Sequence, residues 1–206
     1  MTQRINWDEA YRADAPPAWS IGEPQPEYAA LLRVEGAVHG EVLDAGCGHA
    51  ELAMAVAALG HPVVGIDLSP AAIETATRTA AERGLANATF VAADISSFTG
   101  YDGRFGTVFD SGLLHALPDE LRDGYLRSVQ RAAAPGATFY ILAFGAGAFE
   151  DHEGPAPTQF TAEQLRAEIC RHWTVDEIRP AQLHAEIPGV GRVQMPGHLA
   201  IARKPG

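Results

Sequence analysis

Asp44, Asp67 and Asp94 are the residues of this 206-residue chain from which chemistry is first expected. Each closes a short apolar run, in EVLDAGCG, PVVGID and ATFVAAD. An acid at the end of a buried strand points beyond the sheet, where it can hold a positive group or accept hydrogen bonds from hydroxyls. The loop DAGCGHAEL carries Gly46, Cys47 and Gly48, but Glu51 stands where the fingerprint G-x-G-x-x-G requires a third glycine, and Ala50 where G-x-G-x-G requires one. A pyrophosphate would meet a carboxylate where it needs helix amides, so a dinucleotide is disfavoured. A cationic ligand meets no such objection.

S-adenosylmethionine (SAM) has a cationic amino group and no phosphate. Asp44 is expected to take that amino group and Asp67, 23 positions later, both ribose hydroxyls. Asp94 is expected at the adenine amino group, with Ile95 offering apolar contact and a backbone amide. A fourth apolar run, in FDSGLLHALPDE, sets Asp110, Ser111 and His115 at and just beyond its end, beside the expected methyl group.

These residues need elements that gather strand ends. YAALLRV after Pro26 predicts an amphipathic helix from Glu27 to near Gly36, and helices are expected over Glu51–Leu59, from Ser69 and Pro70 to about Arg83, and from Asp119 to Ala133. Between them lie five apolar strands, the last being ATFYILAF, which implies parallel βαβ units in a doubly wound α/β domain. A Gly- and Pro-rich loop, 145–158, precedes a helix capped by Thr161. TVDEIRP and HLAIARK then close the chain as an antiparallel pair joined through residues 181–197.

Three strand-end motifs in this order resemble the class I SAM-dependent methyltransferases: VLDAGCGHAELA the glycine motif, GIDLS the ribose-binding acid with Leu68 beside it, and AADISSF the adenine-binding turn. The resemblance implies a Rossmann-like, seven-stranded, mostly parallel sheet with an antiparallel last strand, and SAM as cofactor, with S-adenosylhomocysteine as its product. Asp110 joins the cofactor-binding set. WDEAYRADAPPAWSIGEPQPEYAALL resembles the entry segment of thiopurine methyltransferase-like small-molecule enzymes, which folds over cofactor and acceptor. Trp7, Tyr11 and Trp19 then form an aromatic lid, residues 1–40 a lid and helix, and 41–206 the SAM-binding domain.

Methyl transfer is an in-line displacement, so positioning and water exclusion dominate, and a base helps only when the acceptor carries a proton. His115 is the candidate base. Trp19, Ser111, His115, Tyr140 and His152 are the expected acceptor-side residues, with His184 and His198 as further candidates and His49 on the solvent side. No Asn-Pro-Pro-Tyr or Asp-Pro-Pro-Tyr occurs, which disfavours nucleic acid and protein amides; the net charge of −11 does the same for any polyanion. The expected acceptor is a hydroxyl, ring nitrogen or thiol on a small aromatic or heterocyclic molecule. A sugar hydroxyl, or a SAM-binding module that transfers nothing, are the alternatives.

No metal is expected: Cys47 and Cys170 lie far apart, without a second ligand at metal spacing. Lys204 is the only lysine among 15 Lys and Arg residues, a bias that points to a bacterial source. The absence of a long apolar run, and of a signal-peptide core in MTQRINWDEA, points to the cytoplasm.

Overall fold

The structure, a computed structural model, describes residues 6–150, 154 and 156–205. The helices are α1 (Trp7–Arg12), α2 (Pro26–Leu31), α3 (Glu51–Ala58), α4 (Pro70–Glu82), α5 (Leu113–Ala116), α6 (Asp119–Ala132) and α7 (Ala162–Ile169). The strands are β1 (Glu41–Ala45), β2 (Val63–Asp67), β3 (Ala88–Ala92), β4 (Phe105–Ser111), β5 (Ala133–Phe144), β6 (Thr174–Ile187) and β7 (Gly191–Arg203). They form one sheet in the order β3-β2-β1-β4-β5-β7-β6. β1 to β5 pair in parallel, and β7 runs antiparallel between β5 and β6. Strand order reverses between β1 and β4, so the cleft for a ligand opens where their carboxyl ends diverge.

Neighbouring residues along each strand enter opposite cores. Leu43, Val64, Val108 and Ile141 pack with α6 and α7, whereas Val42, Val63, Phe109 and Leu142 pack with α2 and α3. Helix starts follow local chemistry: Ser69 caps α4 ahead of Pro70, and Thr161 with Gln164 closes a capping box on α7.

Several element boundaries differ from expectation; β5, for one, begins at Ala133 and not at Ala137. α2 stops at Leu31, five residues before Gly36, because the following residues turn through Arg33 N to Ala30 O and Val34 N to Leu31 O, with Val34 exposed to solvent. β6 and β7 extend inward until only residues 188–190 connect them. Alternate burial of Ala181, Leu183 and Ala185 drives that extension, and pairing runs on to Ile187 with Gly191.

The extended β6 would be a bare edge but for the segment before α2. Ala18 O accepts from Glu186 N at 2.7 Å, and the Gln25 side chain both donates to His184 O (2.9 Å) and accepts from His184 N (2.8 Å). Arg192 reaches Ile21 O at 3.0 Å and pairs with Glu23, while Arg179 pairs with Glu27 at 2.8 Å. Residues 18–27 are thus laid along the sheet edge, a place where unpaired backbone invites other strands. Replacing Gln25 with Ala removes both bonds from a buried side chain. The expected outcome is a stability loss of about 1–2 kcal/mol, with faster hydrogen exchange at His184 N while β1 exchange stays unchanged.

Candidate active site

The carboxyl ends of β1 and β4 meet at a small cleft of about 50 Å³ whose walls include Tyr11, Trp19, Asp44, Gly46, Glu51 and Ser111, and Asp67 of β2 bonds to Gly48 in its wall. Strand alternation decides which acids reach it. Asp44 is 2 % exposed and accepts from Ala53 N, near the start of α3, at 3.1 Å. Burial, with Glu51, Asp67 and Asp110 adding negative charge, pushes its carboxyl up to about 7 against the opposing pull of the Ala53 amide. Asp67 accepts from Gly48 N and Ser69 N, each at 2.9 Å; burial raises its pKa and these amides oppose the rise. Leu68, beside it, is 58 % exposed, an apolar surface at the end of β2. Ala50 takes a left-handed conformation, φ 64°, a backbone region that glycine enters without steric cost.

Two expected site residues, Asp110 and Tyr140, are turned into the core, and two more, Ile95 and Asp94, are partly engaged within the protein. Asp110 pairs in register with Ala45, so it faces α6. Its fully buried carboxylate accepts from Leu113 N (2.7 Å), Leu114 N (3.0 Å) and Tyr125 OH (2.7 Å), and burial lifts it to about 6. It holds α5 in place and does not reach the cleft. Tyr140 stacks on Phe109 in the core, and its hydroxyl donates to Ala37 O at 2.9 Å, away from any acceptor. The Ile95 side chain is buried with Phe98 on the α6 face, leaving its backbone for a ligand. Asp94 is exposed, and one carboxylate oxygen is spent on its own turn, accepting from Ser96 N (2.8 Å) and Ser96 Oγ (2.7 Å). His152 lies outside the described residues.

His115 sits in α5 beyond β4, 6 % exposed, with its ring tilted 33° against that of Phe144 and the centroids 4.2 Å apart. Its Nδ1 accepts from the Phe144 N–H at 3.1 Å. A backbone amide can only donate, so Nδ1 carries no proton and the neutral ring holds it on Nε2. Burial and the Arg122 guanidinium pull its pKa down to about 3, far below the range of an effective base near neutrality. This geometry speaks against the expected role of general base. Arg122, itself buried, clamps the surroundings by donating to Leu114 O, Leu117 O and Thr158 Oγ1 and pairing with Asp119.

The aromatic residues of the entry segment gather over the glycine loop. Trp19 meets Trp7 and Tyr11 edge-on, centroids 5.6 and 6.1 Å apart, and its Nε1 donates to the Tyr11 hydroxyl at 2.9 Å. Tyr11 also meets His49 at 4.9 Å. A Cβ on Gly48 would lie 2.5 Å from the Tyr11 hydroxyl oxygen, so glycine lets the ring settle there. Trp19 remains 44 % exposed. Asp8 fastens the lid, accepting from Ser69 Oγ (2.8 Å) and Ala71 N (3.0 Å) at the start of α4 and pairing with Arg12 at 2.7 Å. Asp8, Gln25 and Arg122 had escaped sequence reasoning; an acid in the first turn of an amphipathic segment was the one available signal.

Fold and cleft together define a class I SAM-dependent methyltransferase, and the sequence profile described as "Methyltransferase domain" matches residues 38–184, so the chain belongs to that family. It is 50% identical over 198 residues to the 2-heptyl-1-hydroxyquinolin-4(1H)-one methyltransferase of Mycobacteroides abscessus, covering 92% of this chain and 86% of that protein. It is 28% identical to the probable thiol methyltransferase 2 of Arabidopsis thaliana, over 67% of this chain and 61% of that one. A solved structure described as "Conversion of a Disulfide Bond into a Thioacetal Group during Echinomycin Biosynthesis" superposes with a TM-score of 0.85 at 36% identity, covering 96% of this chain and 90% of that one.

The lid contact has a defined pH response. Amide donation from Ala71, with Arg12 and Ser69, lowers Asp8 from 3.8 to about 2, so its contribution is complete above pH 3.8 and is lost as pH falls through about 2. Tryptophan fluorescence is expected to stay constant from neutrality down to mildly acidic pH and to change only at the acidic limit. Asp8→Ala is expected to produce the lid-open signal at neutral pH, and Gly48→Ala to do so by displacing Tyr11.

Proposed function

We propose that the chain transfers the methyl group of SAM to a hydroxyl, ring nitrogen or thiol of a small aromatic or heterocyclic molecule. The charge of the cleft carries this reading: Asp44, Glu51 and Glu23 line it, and no Lys or Arg does so among the described residues. Such a site suits a cation and repels phosphate. Asp44 serves the ammonium, Asp67 the ribose hydroxyls, and the remaining oxygen of Asp94 the adenine amino group. Leu68 flanks the purine, and Gly46, Cys47 and Gly48 let backbone approach the ligand. Trp7, Tyr11 and Trp19 cover it, Trp19 together with Ser111 and His115 meeting the acceptor. SAM, when bound, supplies a methyl carbon made electrophilic by the sulfonium.

The name of the Mycobacteroides relative supports a flat heterocyclic acceptor, and that of the Arabidopsis relative keeps sulfur open. No helix among the described residues is long and apolar enough to cross a membrane. The single lysine and the Mycobacteroides relative support a bacterial source, cytoplasm is the compartment proposed with it, and the net charge of −11 supports an acceptor other than nucleic acid.

Calorimetric titration with SAM and S-adenosylhomocysteine, followed by product detection across phenols, hydroxyquinolones, thiols and sugars, tests the reading; no binding and no product would overturn it. A proton linkage is expected as well. Because Asp44 stands at about 7, an arriving ammonium converts the protonated fraction to carboxylate, so binding releases protons and affinity rises with pH through neutrality. The measured heat should depend on the ionisation enthalpy of the buffer. Asp44→Asn should abolish that dependence and weaken binding about ten- to a hundredfold.

A further inference from the structure

Building on the methyltransferase reading, we propose that His115 is a hydrogen-bond donor to the acceptor through Nε2, and that the site selects acceptors acidic enough to react as anions: N-hydroxy heterocycles, acidic phenols and thiols. The inference starts from Phe144 N, which occupies Nδ1 and fixes the proton on Nε2. The ring edge bearing Nε2 lies against Gly112, 3.3 Å from the place of an added Cβ, one residue from the cleft-lining Ser111. Nε2 has no protein partner among the described residues, which leaves its proton for a ligand beside Gly112 and Ser111.

Two groups that stand near the end of β4 and on β5 are already engaged. Asp110 is turned to Tyr125 and the α5 amides. Tyr140 donates to Ala37 O. Asp44 and Asp67 belong to the cofactor end, and Ser111 is no base. The cleft is polarised as a result. Carboxylates crowd the cofactor end, whereas the charged group bearing on His115 is Arg122 of α6, whose partner Asp119 is itself solvent-exposed. His198 of β7 lies against Gly145, the residue after Phe144, and its Nδ1 has no hydrogen-bond partner among the described residues.

In the step, a lone pair on the anionic oxygen, nitrogen or sulfur forms the bond to the methyl carbon while the carbon–sulfur bond breaks and its pair returns to sulfur. An anion and a sulfonium become two neutral products, and no proton is released to the protein. A donor on the nucleophile stabilises the anion more before reaction than during it. His115 therefore acts on which acceptors bind ionised, and on KM, more than on kcat.

Three measurements test this on the full chain. Nitrogen-15 NMR of histidine-labelled protein should show His115 protonated on Nε2 and not titrating near neutrality; an Nδ1-protonated or titrating ring overturns the proposal. With S-adenosylhomocysteine bound, 2-heptyl-1-hydroxyquinolin-4(1H)-one followed by absorbance should bind as its anion, its pKa lowered about one unit, a tenfold shift. Failure to bind, or binding as the neutral form, counts against the proposal and leaves the methyltransferase reading standing. His115→Phe should raise KM about tenfold and move the pH break of kcat/KM up about one unit, with kcat at high pH nearly unchanged, and His115→Gln should restore part of the loss. Across acceptors of graded acidity the break should follow the acceptor. A break at one fixed pH for all of them, or a loss confined to kcat, assigns proton abstraction to the protein and overturns the proposal.

Discussion

Three carboxylates are buried at the ends of β1, β2 and β4, and among the described residues backbone amides, not Lys or Arg, stand against them. A buried carboxylate without a cation is costly unless amides or hydroxyls satisfy its oxygens. Here the amides are those of the glycine loop, of the turns after β2 and β4, and of the start of α3. Each acid therefore shapes the backbone that follows its strand. Asp67 draws Gly48 N inward and sets the loop, and Asp110 sets α5 and with it His115. Hydrogen bonding satisfies the oxygens and leaves the charge uncancelled, which is why burial and mutual repulsion lift Asp44 to about 7. The site is left wanting a cation.

The entry segment meets the second requirement, closure. Its prolines hold the backbone extended with few donors to satisfy, which suits a strip laid along β6 through Ala18, Gln25 and the Arg192 contacts. Fixing that strip at one end and Asp8 at the other suspends Trp19 and Tyr11 over the loop between two anchors. Only the anchored geometry explains an exposed tryptophan: its indole N–H is already satisfied by Tyr11, and its free face is turned to the cleft. Water exclusion raises every electrostatic effect beneath it.

Strand-end acids, glycine loop and element order were legible because period-two burial and turn chemistry are local properties. Facing direction was the part that local reading missed. Asp110 looks like Asp44 in sequence, each an acid closing an apolar run, yet register with Ala45 turns it to the other side of the sheet. Parity against Val108 in FGTVFD carried that information. Tyr140 failed for a different reason: it is in register with Phe109 and so on the Asp44 side of the sheet, but it packs on Phe109 in the core and its hydroxyl is taken up by Ala37 O. The expected strands ended at Pro180 and began at His198, whereas pairing runs on past Pro180 and Pro196, where Ala181, Leu183 and Ala185 alternate in burial. The His115 tautomer lay beyond any sequence argument, since it depends on an amide 29 residues away.

That tautomer ties the chemistry to the charge pattern. A sulfonium needs no activation to lose its methyl group, and a nucleophile that is already anionic needs no base. What the protein must supply is a place where two opposite charges meet with little water between them. As the charges cancel on the way to products, the solvation that water would offer the separated ions becomes an obstacle, and removing it lowers the barrier. In the proposed mechanism the acids of the cleft, the neutral His115 ring and the aromatic residues of the entry segment share that task. A histidine titrating near neutrality would add a mobile charge to the one region where charge has to be fixed by the reactants. Burial against Phe144 and Arg122 removes that possibility.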